Sequence, residues 1–207
     1  MPQTNEQLTA TDVTIVPANE SSWDDIRAIF GTRGDPAGCQ CQWFKIPNAQ
    51  WRYVPKEEKR QRLHDQTGCD DPHARTTSGL VAYLNREPVG WVAVEPRTVY
   101  VRLMRMRAPW LNRAEDKTDN GVWSVTCFVP RVGFRKRGIS RALARATVDF
   151  ARDHGAASLE GYPMITEPGQ NITWGELYVG SRRIFEDAGF SEVSHPSPRR
   201  VVMRIDF

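Results

Sequence analysis

Apolar residues alternate or recur at helical spacing along most of the chain, and these patterns predict its first elements. Val13 and Ile15 alternate with polar residues before Pro17, which predicts a first strand. A helix is predicted next, because Ser21 or Ser22 can cap it and apolar residues then follow on one face: Trp23, Ile26, Ile29 and Phe30. The first dozen residues are polar, and we expect a flexible tail over residues 1–12.

The middle of the chain combines a long aperiodic segment with a helix and a hairpin. Residues 34–54 are rich in glycine, proline and aromatic residues without a period, which predicts a long ordered loop. A polar helix is predicted over residues 55–66, with its proline at the first helical position. Two apolar runs, residues 79–84 and 88–95, flank a tight turn and predict a β-hairpin. Residues 100–106 alternate apolar and basic residues and predict a third extended segment.

The segment that follows has the clearest pattern. Residues 121–129 are apolar on both faces, which is typical of a central strand, and Pro130 ends it. After a basic loop, apolar residues recur at the spacing of a helix that packs one face on a sheet: Ile139, Ala142, Leu143, Ala146 and Phe150. Gly155 ends this helix, and residues 156–162 return as a strand. The order strand, basic glycine turn, helix, strand is that of a βαβ-like unit.

The last third of the chain predicts one more helix and two more strands. The helix covers residues 179–187 and ends at Gly189, a residue type favoured just past a helix end. The strands cover residues 190–195 and 201–207. Together these elements predict a mixed α/β fold in which one sheet is covered by about four helices. A chain of 207 residues fits one large domain, which we expect over residues 13–207.

Composition and charge exclude several classes of protein. Apolar residues make up 40% of the chain and charged residues 26%, as in ordinary globular proteins and unlike collagenous, disordered or coiled-coil chains. The net charge of +3 is too small to indicate nucleic-acid binding by itself. No apolar stretch is long enough for a signal peptide or a membrane span. The four cysteines are therefore expected as free thiols in a reducing cytoplasm.

The strongest chemical signal lies in residues 131–145, which carry six arginines or lysines and no acid. Gly138 lies where the loop ends and the helix begins, and the first N–H groups of a helix have no partner within it. With the hydroxyl of Ser140, they favour a pyrophosphate as ligand. The motifs GxxxxGK(S/T) and GxGxxG are absent, which disfavours ATP and NAD. A solvated helix end is one alternative; a nucleic-acid site is another, but no recognised nucleic-acid-binding signature supports it.

Residues 129–143, VPRVGFRKRGISRAL, resemble the acetyl-CoA pyrophosphate loop of the GCN5-related N-acetyltransferase (GNAT) superfamily. The family pattern is Arg or Gln, two residues, Gly, one residue, then Gly or Ala. Here it is Arg135-x-x-Gly138-x-Ser140, with serine at the last position. Residues 185–190, FEDAGF, resemble the family's second signature, YxxxGF. The resemblance implies a mostly antiparallel sheet of about six or seven strands, splayed between the strands at 121–129 and 156–162.

The resemblance also implies where acetyl-CoA is held as co-substrate. Main-chain groups at the end of the first splayed strand pair with the pantetheine arm, here Cys127, Phe128 and Val129. Amides of the next loop hold the pyrophosphate, here Arg135, Lys136, Arg137, Gly138, Ile139 and Ser140. The second signature, which begins at Phe185, closes over the coenzyme. The implied acceptor is a small-molecule or peptide amine, with no nucleic-acid or membrane partner, and a homodimer is left open.

Acetyl transfer to an amine requires a base for the amine proton and an acid for the departing thiolate. The strand glutamate that many family members use as the base is absent. Glu160 is therefore our first candidate and Glu95 the second, with a structural ion pair as the alternative role for Glu160. The family's acid is often a tyrosine at the position of Phe185. Tyr178 and Tyr162 are the candidates here, with packed core positions as the alternative.

A further motif, Cys39-Gln-Cys41, invites a metal interpretation, because other ligand types follow it: His64, Cys69 and His73. We expect no metal, because the spacing is tighter than the CxxC typical of zinc sites. The two thiols and the aromatic residues of the same loop are expected to wall the acceptor pocket or to pack beneath the loop.

We predict direct attack of the amine on the thioester. A covalent route through Cys127 is the rival mechanism, and a non-catalytic acyl-CoA-binding sensor is the alternative function. Release of thiol that depends on an amine separates the enzyme from the sensor. Single-turnover labelling without an acceptor tests the covalent route.

Overall fold

One sheet of seven strands organises the computed structural model, which describes residues 13–167 and 172–207. Its strand order is β1-β2-β3-β4-β5-β7-β6. The strands are β1 (Val13–Pro17), β2 (Gly79–Leu84), β3 (Glu87–Pro96), β4 (Val122–Pro130), β5 (Ser158–Gly161), β6 (Ser191–Ser197) and β7 (Arg200–Asp206). Only β4 and β5 are parallel neighbours; the other pairs are antiparallel. The predicted mixed α/β fold is confirmed, while the predicted tail, residues 1–12, lies outside the described residues.

Three longer helices and four short ones cover this sheet in the described ranges. They are α1 (Trp23–Phe30), α2 (Gly34–Cys39), α3 (Lys56–Thr67), α4 (Val101–Arg105), α5 (Ile139–Asp153), α6 (Trp174–Leu177) and α7 (Arg182–Glu186). Helix α5 packs on one face of the sheet and α1 on the other, so apolar cores form on both sides of β3 and β4. Within the same ranges, no helix combines the length and the hydrophobicity needed to cross a membrane.

Helix α5 follows the predicted pattern closely. Its apolar positions, among them Ile139, Leu143 and Phe150, are buried against the sheet. Gly90 on β3 permits this close packing, because a Cβ there would lie 2.5 Å from Cγ2 of Ile139. Gly155 follows the helix with φ of +80°, a conformation that favours glycine and ends the helix as predicted. The β4-α5-β5 unit is therefore built as the sequence indicates.

The predicted extended segment at residues 100–106 is wrong, because the chain forms helix α4 there. Tyr100 and Leu103, three residues apart, are both fully buried, so the apolar residues follow a helical period. Arg102 is also buried, with 5% of its surface exposed. An alternation of apolar and basic residues predicts a strand only if its basic residues face water. Here Arg102 is buried instead, so the alternation does not indicate a strand.

Three other predictions need correction in their boundaries. Residues 34–54 begin with the short helix α2, in which Pro36 lies in the first turn, where a missing N–H is tolerated. The helix predicted over residues 179–187 is shorter, because Gly180 has φ of +82° and separates α6 from α7. Pro55 precedes α3 as its N-cap residue rather than occupying its first helical position.

Candidate active site

The N-terminus of α5 opens onto a surface cavity of about 290 Å³, the α5 cavity. Gly138 is the N-cap residue, with φ of +80°; no side chain caps it, and the first turn holds no acid. The first N–H groups of α5 therefore have no partner within the helix. Lys136, Ile139 and Ser140 also line the cavity. Donors, positive charge and the missing Cβ of Gly138 together fit a phosphate group.

The other two basic residues of the predicted loop lie beside this cavity. Arg135 lines a neighbouring cavity of about 410 Å³, between residues 28–36 and the end of β4. The guanidinium of Arg137 lies 5.3 Å from the centre of the Phe134 ring, and Phe134 itself lines the α5 cavity. The predicted pyrophosphate loop is thus brought together around one helix end.

Strands β4 and β5 separate where the sequence predicts. Their pairing covers only residues 122–125 and 158–161, whereas β4 continues to Pro130. Beyond the last pair, the N–H of Phe128 donates to the carbonyl oxygen of Tyr178 at 2.6 Å. All three residues, Cys127, Phe128 and Val129, also pair with β3. Of the three residues predicted to hold the pantetheine arm, Phe128 therefore has its amide already engaged.

A larger cavity of about 500 Å³, the central cavity, lies on the opposite side of β4 from α5. Cys127 and Val129 of β4 form its floor, and the α2 region and the residue 40–51 loop form its walls. Its lining residues include Phe30, Asp35, Cys39, Cys41, Trp43, Trp51, Glu176, Tyr178 and Arg200. The cysteine and tryptophan side chains of the loop thus line a cavity, one of the two positions expected from the sequence.

Two of the thiols that line the central cavity, Cys39 and Cys127, have raised pKa values. Burial raises the pKa of Cys39 to about 12. A hydrogen bond with Cys41, together with burial, raises the pKa of Cys127 well above its ordinary value. Trp91 donates its indole N–H to the sulfur of Cys41 at 3.2 Å. Because thiols are poor nucleophiles compared with thiolates, this environment disfavours covalent chemistry at Cys127.

No group of three or more His, Cys, Asp or Glu side chains within residues 13–167 and 172–207 is arranged to hold a metal ion. The cysteines near the central cavity are free. His64, which follows them in the sequence, contacts Asp65 and the edge of Trp23 instead.

Tyr178 presents a protonated hydroxyl group at the central cavity. Its side chain is half-buried, and burial, followed by the influence of Cys127, raises its pKa to about 12. Arg200, on the same cavity wall, acts in the opposite direction. A phenol that stays protonated beside a cavity can donate a proton to a leaving group. Of the two predicted tyrosines, Tyr178 lines the central cavity and Tyr162 does not.

Glu160 and Tyr162 lie elsewhere, in a buried network that we call the Glu160 cluster. Glu160 is fully buried, and its carboxylate contacts Arg97 at 3.3 Å, Arg204 at 3.4 Å, and Arg113. The hydroxyl of Tyr162 donates to Glu160 at 2.9 Å. Neither residue lines the central cavity. The carboxylate predicted as the base is therefore paired with arginines, and it does not line the central cavity.

Glu95, the second acidic candidate, is also paired. Its carboxylate lies 2.6 Å from the ammonium of Lys45 and accepts a hydrogen bond from the Tyr100 hydroxyl at 3.1 Å. Burial raises its pKa, and Lys45 opposes this rise. Glu95 is absent from the lining of the central cavity.

Phe185 is fully buried and forms part of the apolar core. Its ring packs edge-on against Phe128 and Phe190, with ring centres 5.8 Å and 5.0 Å away. Gly161 allows this packing, because a Cβ at that position would collide with the Phe185 ring. Phe185 thus supports the splayed end of β4 from beneath and offers no surface to a ligand.

Sequence reasoning missed three charged residues of this region: Asp35, Arg102 and Arg200. Asp35 and Arg200 line the central cavity, and Arg102 lies against two of its tryptophans. Asp35 lies in the first turn of α2, in a segment interpreted as loop. The arginines belong to the α4 region and to β7, far apart in sequence.

A model of the acetyltransferase (GNAT) family matches residues 42–162, more than half of the chain. The chain belongs to this family. It is an acyltransferase, and acetyl-CoA is its co-substrate. A search of curated protein sequences finds no match.

Solved structures of acetyltransferases share the fold at low sequence identity. One, described as an acetyltransferase, is 17% identical and covers 93% of this chain and 98% of its own, with a TM-score of 0.54. The structure of AAC(6')-Ib in complex with paromomycin and acetyl-CoA is 16% identical, with coverages of 94% and 93% and a TM-score of 0.51. An acetyltransferase from Thermus thermophilus is 16% identical, with coverages of 97% and 99% and a TM-score of 0.48. The first two establish the fold of the chain.

Proposed function

We propose that the protein is an N-acetyltransferase that moves the acetyl group of acetyl-CoA to a primary amine by direct attack in the central cavity. One observation supports this most strongly: the α5 cavity and the central cavity both border the last four residues of β4. A coenzyme with its pyrophosphate at α5 therefore has its thioester end directed toward Cys127 and Val129. The acceptor is a small-molecule or peptide amine.

The coenzyme side uses the predicted loop. The amides of Gly138, Ile139 and Ser140 bind the pyrophosphate, and three basic side chains balance its charge: Arg135, Lys136 and Arg137. Main-chain groups of residues 127–129 border the pantetheine arm. Because Tyr178 holds the Phe128 amide, this arm either displaces the Tyr178 carbonyl or pairs with other groups of β4.

The reaction needs one proton removed and one supplied. The amine nitrogen attacks the thioester carbonyl carbon, the carbon–sulfur bond breaks, and Tyr178 donates its hydroxyl proton to the departing sulfur. Asp35 lines the central cavity and forms no ion pair within the described residues. We assign Asp35 the role of holding the acceptor ammonium and passing its proton to solvent. The proton that restores Tyr178 comes from the same solvent pool.

The two remaining predicted catalytic residues receive a different role. Glu160 and Tyr162 position the strands β4 and β5 through the Glu160 cluster, without touching a substrate. The raised pKa values of Cys39 and Cys127 support direct attack over an acetyl-cysteine intermediate. A single domain over residues 13–207, a cytoplasmic location and a homodimer stay predictions.

The test is amine-dependent thiol release from acetyl-CoA, with two glycine variants of α5. Gly138→Ala and Gly155→Ala both replace a glycine with φ of +80°, and in neither case would the new Cβ meet a heavy atom within 4 Å. We expect equal losses of stability, about 1 kcal/mol each. Only Gly138→Ala is expected to raise the KM for acetyl-CoA, by about tenfold, because its Cβ keeps the pyrophosphate from the amides.

Equal KM values for the two variants would contradict the coenzyme site. Tight coenzyme binding without thiol release for any primary amine in a broad panel would favour the sensor instead. Mass spectrometry after a single turnover without acceptor is expected to show no acetylated protein. An acetyl group on Cys127 would overturn the direct mechanism.

A further inference from the structure

Arg102 is a buried cation whose two terminal nitrogens have no hydrogen-bond partner within the described residues. Only 5% of its surface is exposed. Its Nε donates to the carbonyl oxygen of Ile46 at 3.0 Å. Both terminal nitrogens, Nη1 and Nη2, are buried and have no partner within the part of the chain that the structure describes. Burying a charged group without a partner costs several kcal/mol, so this guanidinium calls for an explanation.

The guanidinium lies against the wall of the central cavity. Its central carbon is 3.8 Å from the centre of the Trp43 ring and 5.2 Å from that of Trp51, and both rings line the cavity. Burial lowers the pKa of Arg102, while Cys39 and Tyr178 oppose this change, so the charge lies near both of these cavity residues. The unpaired donors thus lie behind the tryptophan wall of the cavity that the proposed reaction uses; Arg102 is not itself a lining residue, so a ligand reaches these donors past the Trp43 or Trp51 ring.

Two other cations lie at or beside the cavity. Arg200 lines it, and burial lowers the pKa of this guanidinium as well. The ammonium of Lys59, itself 8% exposed, lies 3.7 Å from the centre of the Trp51 ring. Of the cavity carboxylates, Glu176 is paired with Arg199 at 2.9 Å. Positive charge near the tryptophans therefore exceeds the negative charge available to balance it.

We propose that Arg102 binds a carboxylate of the acceptor, so that the acceptor is an amino carboxylate with an apolar body. This inference rests on the proposed function, because it concerns the acceptor of that reaction. A guanidinium presents two parallel N–H donors in a planar fork that matches a carboxylate. The rings of Trp43, Trp51 and Phe30 accommodate the apolar body, and Asp35 faces the ammonium. A cavity of about 500 Å³ has the size of a small-molecule site.

The first test compares acceptors that differ only by a carboxylate. The pairs are 4-(aminomethyl)benzoate with benzylamine, and phenylalanine with 2-phenylethylamine. In the wild-type protein we expect kcat/KM to favour the carboxylate member of at least one pair by about tenfold or more, since a hydrogen-bonded charge pair contributes that much. Calorimetry in the presence of coenzyme A should show the same preference in binding.

The second test replaces the guanidinium. Arg102→Met keeps an unbranched apolar side chain but removes the guanidinium, and we expect it to abolish the preference within each pair. Arg105→Met, on an exposed position of the same helix, is the control and should retain the preference. Thermal melting of both variants checks that they are folded.

The outcomes separate this inference from the proposed function. Equal turnover of both members of every pair by the wild-type protein would overturn the carboxylate site and leave the N-acetyltransferase standing. A preference that survives in Arg102→Met would overturn the assignment to Arg102. No turnover with any amine, of either kind, would overturn the proposed function itself. The wild-type comparison is decisive even if the Arg102 variant fails to fold.

Discussion

Arg97 and Arg102 are both buried, both lie between β3 and the end of α4, and both lie over a tryptophan, yet their surroundings differ. Arg97 contacts Glu160 at 3.3 Å and Glu115 at 3.4 Å, and donates to the carbonyl oxygen of Asp116 at 2.6 Å. Arg102 donates only through its Nε. Its terminal nitrogens meet the faces of tryptophans and no acceptor within the described residues. Arg97 is part of a structural network of ion pairs, while the two terminal nitrogens of Arg102 remain available as hydrogen-bond donors.

The contrast extends to the whole of each region. In the Glu160 cluster, three arginines are matched by three carboxylates: Arg97, Arg113 and Arg204 by Glu115, Glu160 and Asp206. A buried charge paired in this way needs no ligand. At the central cavity, the cations near Trp43 and Trp51 have no such set of partners in the described ranges. Buried charge is part of the fold where it is paired, and it indicates a ligand where it is not.

Removing the carboxylate of Glu160 disrupts the Glu160 cluster, and we expect this change to have the largest effect on stability. In Glu160→Gln, the buried guanidiniums of Arg97 and Arg113 lose their shared negative partner. We expect the free energy of unfolding to fall by about 3–5 kcal/mol, measured by urea denaturation. The control is Glu58→Gln, which breaks an exposed pair with Arg62 and should change stability by less than about 0.5 kcal/mol.

The same variant decides between the two roles of Glu160. If Glu160 were the base, Glu160→Gln would keep most of its stability and lose turnover by orders of magnitude. If it positions β4 and β5, as we propose, stability falls and the turnover of the remaining folded protein changes little.

We expect a Tyr178 variant to lose activity and keep its stability, the reverse of Glu160→Gln. Tyr178→Phe removes the hydroxyl that protonates the departing thiolate, and we expect kcat to fall about 100-fold with little change in the KM for acetyl-CoA. Since its pKa is about 12, the wild-type hydroxyl stays protonated at every pH well below that value, so deprotonation of Tyr178 should cause no loss of kcat there.

Tyr83→Phe is the matched control for this variant. Burial also raises the pKa of Tyr83 to about 12, and its hydroxyl donates to Asp25, away from the central cavity. Its kcat should equal that of the wild-type protein. A Tyr178→Phe variant with unchanged kcat would exclude Tyr178 as the acid.

The fold and the exposed N-terminus of α5 could be predicted because their signals are local. The apolar spacing of α5, the proline that ends β4 and the basic loop around Gly138 all lie within one consecutive segment, residues 121–155. Local sequence determines where a helix begins, and a helix start exposes its N–H groups wherever the rest of the chain lies. The position of the exposed helix N-terminus therefore follows from these residues alone.

The chemistry of the acceptor side could not be predicted in the same way. Glu160 meets arginines 47 and 63 residues away along the chain, and only the folded sheet brings them together. The strand predicted over residues 100–106 placed Arg102 in solvent, and this error concealed the unpaired guanidinium. Local sequence patterns predict helices and strands. The pairing of buried charges depends on how helices and strands that are distant in sequence pack together.

The smallest expected effect is on the free energy of unfolding when Arg102 is replaced. Arg102→Met removes an unpaired buried charge, which stabilises the fold, and also removes the hydrogen bond to Ile46 and the contact with the Trp43 ring, which destabilises it. The gain, several kcal/mol, is similar to the sum of the two losses, about 2 kcal/mol each, so we expect the free energy of unfolding to change by less than about 1 kcal/mol. Urea denaturation measures this beside Glu160→Gln. A loss as large as that of Glu160→Gln would mean that Arg102 is fully paired in the folded protein, and the distinction between the two arginines would disappear.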